Sequence, residues 1–271
     1  MEVQEIIFFL LVGAVGGFLA GLLGVGGGIV FVPLIHVVLE QHHITDDTVN
    51  YTLANSLAIV FAVGVTGTMK HLKIKNTHLP SALVTGLFAV ITSLYVSYFI
   101  YYYQLKNQVV FNGIFAALLI LTSIRMLMGM NKKNETPQTL IIPPVKKFIP
   151  AGLFAGVVTA LSGLGGGIVM VPYFNKILKL PIKFSTGLSL TVIPIIAFPL
   201  LIFYSINLPQ EVIYPQWQIG HLLLPVIFPV ITGAVIASPF GIKVSQKQSD
   251  KTITLVFIVF VLLTLIKILV F

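Results

Sequence analysis

The chain has 271 residues, 57% of them hydrophobic and 9% charged, with no cysteine, and its mean hydropathy is +1.02. That composition lies outside the range of water-soluble globular domains, and the missing cysteine excludes a disulfide framework, a thiolate metal site and a thiol relay. The net charge of +8 comes from basic residues spread through short loops, which reads as a topology signal and not as a nucleic-acid surface.

Apolar runs occur at 6–39, 49–69, 79–103, 108–130, 148–175, 184–206, 218–242 and 251–271. Each is long enough to cross a bilayer at about 20 residues per span. Their unbroken apolarity, without two-residue alternation, predicts helices and not a barrel, so the expected fold class is an all-α polytopic membrane protein. The first run follows Glu2 and Glu5 in place of basic residues and has no small-residue cleavage site after it. It is therefore expected to stay in the mature protein.

Four loops carry all the lysines but Lys106 and Lys267, which fall on the other side: Lys70, Lys73 and Lys75; Lys132, Lys133, Lys146 and Lys147; Lys176, Lys179 and Lys183; Lys243, Lys247 and Lys251. The positive-inside rule makes these cytoplasmic, with Arg125 on the same side, and leaves the acidic amino terminus, the loop of Glu40, Asp46 and Asp47, and the loop of Glu211 outside. Residues 6–39 then begin and end outside, so this run must enter and return. Residues 148–175 do the same from the cytoplasmic face. The pieces flanking the glycines of that second run are about 25 Å and about 12 Å long, and the latter cannot cross about 30 Å of hydrocarbon. A re-entrant or broken-helix hairpin is expected, with irregular backbone buried in protein or lining a cavity.

The glycine motif of the first hairpin recurs in the second. "GLLGVGGGIVFVP", Gly21 to Pro33, aligns without a gap with "ALSGLGGGIVMVP", Ala160 to Pro172, and Gly13 and Gly17 align with Gly152 and Gly156. Weaker echoes pair "TLANSL" (Thr52 to Leu57) with "STGLSL" (Ser185 to Leu190), and "LTSIRML" (Leu121 to Leu127) with "LTLIKIL" (Leu263 to Leu269). The chain reads as a duplication of about 130 residues: a first repeat at 1–130, a polar cytoplasmic linker at 131–147 and a second repeat at 148–271. Each repeat is expected to hold one hairpin and three transmembrane helices, an odd number of crossings that inverts the second copy. Inverted repeats with discontinuous helices are the architecture of many secondary transporters, whose sites lie near the midplane.

Glycine costs about 1 kcal/mol relative to alanine within a helix, so three in a row mark a break. Where the helix restarts, the N–H groups of Gly26, Gly27, Gly28 and Ile29, and of Gly165, Gly166, Gly167 and Ile168, are candidates for an anion site at a helix terminus with about half a positive charge. Close helix packing is the competing role, and the stronger one for Gly13, Gly17, Gly152 and Gly156. The run lacks the last glycine of GxGxxG and the GK[ST] of a P-loop, which argues against a nucleotide. Asn55, Ser56, Thr186 and Ser189 add amide and hydroxyl donors at equivalent places after each hairpin, and Ser162 adds one just before the second glycine run, although such side chains often bond their own helix instead. Arg125 and Lys70 near cytoplasmic ends are expected to snorkel. His36, His71, His78 and His221 lie near span ends and are candidates for a coupling proton or for interface packing.

These motifs resemble the TauE/SafE family of sulfite and organosulfonate exporters, in which a similar glycine-rich motif opens each half. The resemblance covers nearly the whole chain. It implies outward transport of a small sulfur oxyanion such as sulfite, sulfoacetate or sulfolactate, and residence in the inner (plasma) membrane of a bacterium or archaeon. No metal or cofactor is expected, and nothing in the sequence sets the oligomeric state. Two rivals remain: an anion channel built on the same helix termini, and an intramembrane serine hydrolase pairing Ser189 with His221. Metalloenzymes and cation transporters are disfavoured because they need carboxylate or histidine ligands within spans and no aspartate or glutamate is expected to be buried.

Overall fold

The computed structural model describes residues 3–41, 47–103, 141–209 and 212–249, with isolated positions between 113 and 124 and between 252 and 259. The expected spans 108–130 and 251–271 and most of the linker, with Arg125, Asp46 and Glu211, lie largely or wholly outside the described residues. The protein is an all-α polytopic membrane protein. Its helices are α1 (Val3–Leu23), α2 (Gly28–Gln41), α3 (Thr48–Lys73), α4 (Leu79–Tyr102), α5 (Ile149–Ser162), α6 (Gly167–Pro172), α7 (Ile182–Ile206) and α8 (Leu224–Lys247).

Among the described residues six helical segments are long and apolar enough to cross a membrane: α1, α3, α4, α5 with its preceding 3-10 turn, α7 and α8. The α2 helix has 14 residues, about 21 Å at 1.5 Å per residue. After α6, Pro172 leads into a π turn, Tyr173–Ile177, closed by the Leu178 N–H on the Tyr173 carbonyl at 3.1 Å. Each glycine motif therefore joins a long helix to a short one. Proline opens α4, α5 and α8 in the first turn, where its missing N–H leaves no helical bond unmade.

The helices associate through small residues. In lipid no hydrophobic force drives helices together, so close backbone contact has to supply the attraction. The α1 helix runs along α8 with Gly13, Gly17 and Gly21 facing the backbone of Val230, Ala234 and Ser238, while Gly233 and Gly241 face the carbonyls of Leu10 and Phe18. On the other side α4 runs along α5, where Gly152 and Gly156 meet the carbonyls of Thr85 and Ala89. Gly13, Gly17, Gly152 and Gly156 thus pack helices. Between these pairs lie α3 and α7, which contact each other and supply much of the buried core. Phe8, Leu11, Leu87, Phe154, Phe228 and Phe240 point outward as a lipid-facing surface.

One expected helical stretch differs. Residues 218–242 do not form one helix: Gln218–Ile219 (β1) pairs antiparallel with Leu222–Leu223 (β2), and α8 starts only at Leu224. Gly220, at a φ of +54°, makes the turn, a conformation that costs a side-chain-bearing residue about 1–2 kcal/mol.

The α1–α8 contact leaves no room for a side chain. Gly17→Leu is expected to lower the unfolding temperature of the purified protein sharply, by the overpacking of a closed interface. Val15→Leu, at a site 57% exposed on the same helix, should leave it unchanged; a fluorescence-detected thermal unfolding series compares them.

Candidate functional site

Both glycine motifs adopt the same backbone. Gly24, Gly26 and Gly27 have φ of +72°, +80° and +77°, and Gly163, Gly165 and Gly166 have +67°, +73° and +72°. Each is a conformation that only glycine adopts freely, which is the local reason for this composition. The first glycine of each set ends a helix: the Gly24 N–H bonds the Ala20 carbonyl at 2.9 Å, and the Gly163 N–H bonds that of Thr159 at 2.9 Å. The third begins one. The N–H groups of Val30 and Phe31 both reach the Gly27 carbonyl (2.9 and 3.2 Å), and those of Val169 and Met170 reach the Gly166 carbonyl (both 3.1 Å). The N–H groups of Gly28 and Ile29, and of Gly167 and Ile168, precede these first helical bonds.

The two motifs lie against each other. A Cβ on Gly28 would stand 2.7 Å from Leu164 Cα, and one on Gly167 would stand 2.6 Å from Val25 Cα. Gly26 and Gly165 share the same two neighbours, Val60 of α3 and Ile193 of α7: their Cβ positions fall 3.1 and 2.7 Å from Val60 and 3.0 and 3.4 Å from Ile193. Gly26–Ile29 and Gly165–Ile168 are all buried. All eight predicted backbone residues are thus brought to one place. Val60 and Ile193, two apolar residues in apolar helices, were invisible to a search for polar donors.

The predicted side-chain donors divide. Ser56 donates to the Gly163 carbonyl at 3.0 Å, and Thr186 packs directly against Gly24 with its hydroxyl on the Lys183 carbonyl at 2.8 Å. Ser162 bonds the Val158 carbonyl at 2.6 Å. Ser189 is fully buried, and its hydroxyl has no hydrogen-bond partner among the described residues. Asn55 is committed elsewhere. Its amide donates to the carbonyls of Tyr51 (2.7 Å) and His221 (2.8 Å), and its oxygen accepts the Leu223 N–H at 2.7 Å, so it clamps the β1–β2 hairpin into the bundle.

The histidines also divide. His36 sits near Glu40 at 3.2 Å on the partly exposed face of α2, His78 bonds Ser81 at 2.8 Å, and His71 lies 3.2 Å from the Asn76 amide. His221 is completely buried, with Nε2 3.5 Å from a carboxylate oxygen of Asp47. Asp47 itself is 1% exposed. The expectation that no carboxylate is buried is therefore overturned at the start of α3: the β1–β2 hairpin folds over a residue that the sequence places in an external loop. The pairing of Ser189 with His221 as a hydrolytic dyad has no geometric support. The His221 ring lies beside Tyr204, and Ser189 is roughly four turns, about 22 Å, away along α7.

Six long apolar helical segments among the described residues and two broken hairpins meeting in the interior define a polytopic membrane protein. The chain belongs to the sulfite exporter TauE/SafE family, whose sequence profile matches residues 9–268. It is 27% identical over 242 residues to a protein of Methanocaldococcus jannaschii, covering 89% of this chain and 87% of that one. It is 24% identical over 263 residues to one of Haemophilus influenzae, covering 97% of each. A third relative, YunE of Bacillus subtilis, is 22% identical over 269 residues, covering 93% of each. All three bear the name "Probable membrane transporter protein".

Asn55→Ala would leave a buried N–H and a buried carbonyl of the hairpin without partners. At about 1–3 kcal/mol for each group stranded in this way, a loss of at least about 2 kcal/mol of stability is expected. Thermal unfolding in detergent measures it.

Proposed function

We propose that this protein is a secondary carrier, exporting a small sulfur oxyanion such as sulfite or an organosulfonate, and that the anion binds between the two glycine motifs. The observation that carries the proposal is the buried meeting of two equivalent glycine crossings, each placing N–H groups ahead of the first bonded turn of a helix. Backbone N–H groups there hold an anion without a buried cation. The hydroxyl of Ser189 is the side-chain donor, with Ser56, whose proton is on the Gly163 carbonyl, Thr186 and Ser162 beside it. Asn55 contributes by holding the hairpin.

The two halves, 1–130 and 148–271, are read as inverted repeats. Three features support this. The glycine φ values match, the α1–α8 contact has its counterpart in α4–α5, and α3 meets its own counterpart α7. In this reading the amino terminus and the Asp47 loop face outward, the linker 131–147 faces the cytoplasm, and the membrane is an inner (plasma) membrane. Because Gly28 rests on Leu164 and Gly167 on Val25, an anion must part the crossings to bind. Binding and conformational change are then one event, which favours a carrier over a channel.

The test is sulfite flux in proteoliposomes together with sulfite-dependent thermal stabilisation. Saturable flux supports the carrier; ohmic single-channel currents would refute it. Ser189→Ala should leave the ligand-free protein as stable as before or slightly more so, because an unpaired buried hydroxyl is removed. It should also weaken sulfite stabilisation measurably. Gly27→Leu and Gly166→Leu should abolish sulfite stabilisation while the protein remains in the membrane.

A further inference from the structure

Away from the glycine crossing, the start of α3 holds a second buried polar cluster. Asp47 immediately precedes α3, and His221 follows Gly220 in the β1–β2 turn; they are 1% and 0% exposed, with 3.5 Å between His221 Nε2 and Asp47 Oδ2. The Asn50 amide donates to the other carboxylate oxygen at 3.0 Å. Three tyrosines face the imidazole edge-on: Tyr51 of α3, Tyr101 of α4 and Tyr204 of α7, with ring centroids 5.2, 6.5 and 6.2 Å away. From β1, Gln218 bonds the Tyr51 hydroxyl at 2.6 Å.

A lone charge in such a place costs several kcal/mol, whereas an imidazolium beside a carboxylate is compensated. Histidine is the side chain best suited to carry a proton reversibly, and a carboxylate this close gives that proton a partner. We propose that Asp47 and His221 form a proton-binding site whose occupancy controls the opening of the glycine crossing. The proton is held on the imidazole against the carboxylate.

The cluster is tied to both central helices. The His221 N–H donates to the Tyr204 carbonyl at the end of α7 (3.1 Å), and its own carbonyl accepts from Asn55 of α3 (2.8 Å). Next in sequence after Asn55 is Ser56, which holds the Gly163 carbonyl. Along α7 lie Ser189 and Ile193, the latter against Gly165. With the proton bound, imidazolium and carboxylate hold the hairpin to the start of α3 and keep α3 and α7 together. When the proton leaves, that attraction falls and the two helices are freer to separate. The link to opening rests on the transporter reading; the proton site rests on the cluster alone.

The chain has no cysteine, so Ser189→Cys supplies a single thiol at the crossing. The labelling rate of this variant by N-ethylmaleimide in nanodiscs, divided by its rate in the SDS-unfolded chain at the same pH, is expected to rise several-fold between about pH 6 and about pH 8. Adding His221→Asn or Asp47→Asn should make the corrected rate flat. A flat profile in the parent, or an unchanged slope in both double variants, overturns the control of opening.

Proton binding is read separately from the imidazole nitrogen resonances of histidine-labelled full-length protein, with the His221 signal assigned by its loss in His221→Asn. The signal should move with pH, and its midpoint should shift in Asp47→Asn. One fixed tautomer across the same range overturns the site, even if a variant folds poorly. Neither measurement contains sulfite, so a failure of the sulfite assignment leaves both readable.

Discussion

The contact between the two glycine crossings is the constraint on which the rest of the structure depends. Gly28 against Leu164 and Gly167 against Val25 approach so closely that a single Cβ on either glycine would collide with the facing backbone. That approach fixes where α1 and α5 end and where α2 and α6 begin. It also places Val60 and Ile193, one from each central helix, on the two glycines that follow the first turn residue. Backbone-to-backbone contact of this kind is what membrane helices have available in place of a hydrophobic driving force. The same device recurs along α1–α8 and α4–α5, where glycines facing carbonyls bring whole helices together.

The crossing places left-handed backbone, which glycine adopts freely, at the buried meeting of the two hairpins. Left-handed residues are costly for any other amino acid and persist only where the surroundings fix them, as they often do at ligand sites. Here the surroundings are α3 and α7, whose apolar side chains exclude water and whose serines supply short-range polarity.

The polar network at the start of α3 shows how the same two helices are held at a distance from the crossing. Asn55 uses both amide donors and its oxygen on backbone groups of α3 and the hairpin. Gln218 does similar work one layer out, accepting the N–H groups of Ile213 and Tyr214 at 3.0 and 3.2 Å while bonding Tyr51. Buried polar networks of this sort rigidify when every member is satisfied. In this one, a buried carboxylate and a buried imidazole, Asp47 and His221, are brought within 3.5 Å of each other.

Much of this architecture was legible in the chain, for reasons that are local. Long apolar runs can only be membrane helices, and glycines in series with proline downstream can only break them. The recurrence of Gly24 to Pro33 at Gly163 to Pro172 marks two equivalent breaks in the chain itself. The extents of α3, α4 and α7 followed from apolar length and from the charged or polar residues that bound them. What the sequence could not contain was the outcome of long-range packing. Asn55 looked like a ligand donor and became a clamp, because a hairpin 166 residues away presents its backbone there. Asp47 looked solvent-exposed and is buried, because the same hairpin covers it. Composition and spacing determine which segments enter the membrane and where they break; only the tertiary structure decides which polar groups lose water together, since that depends on which distant segments close over them.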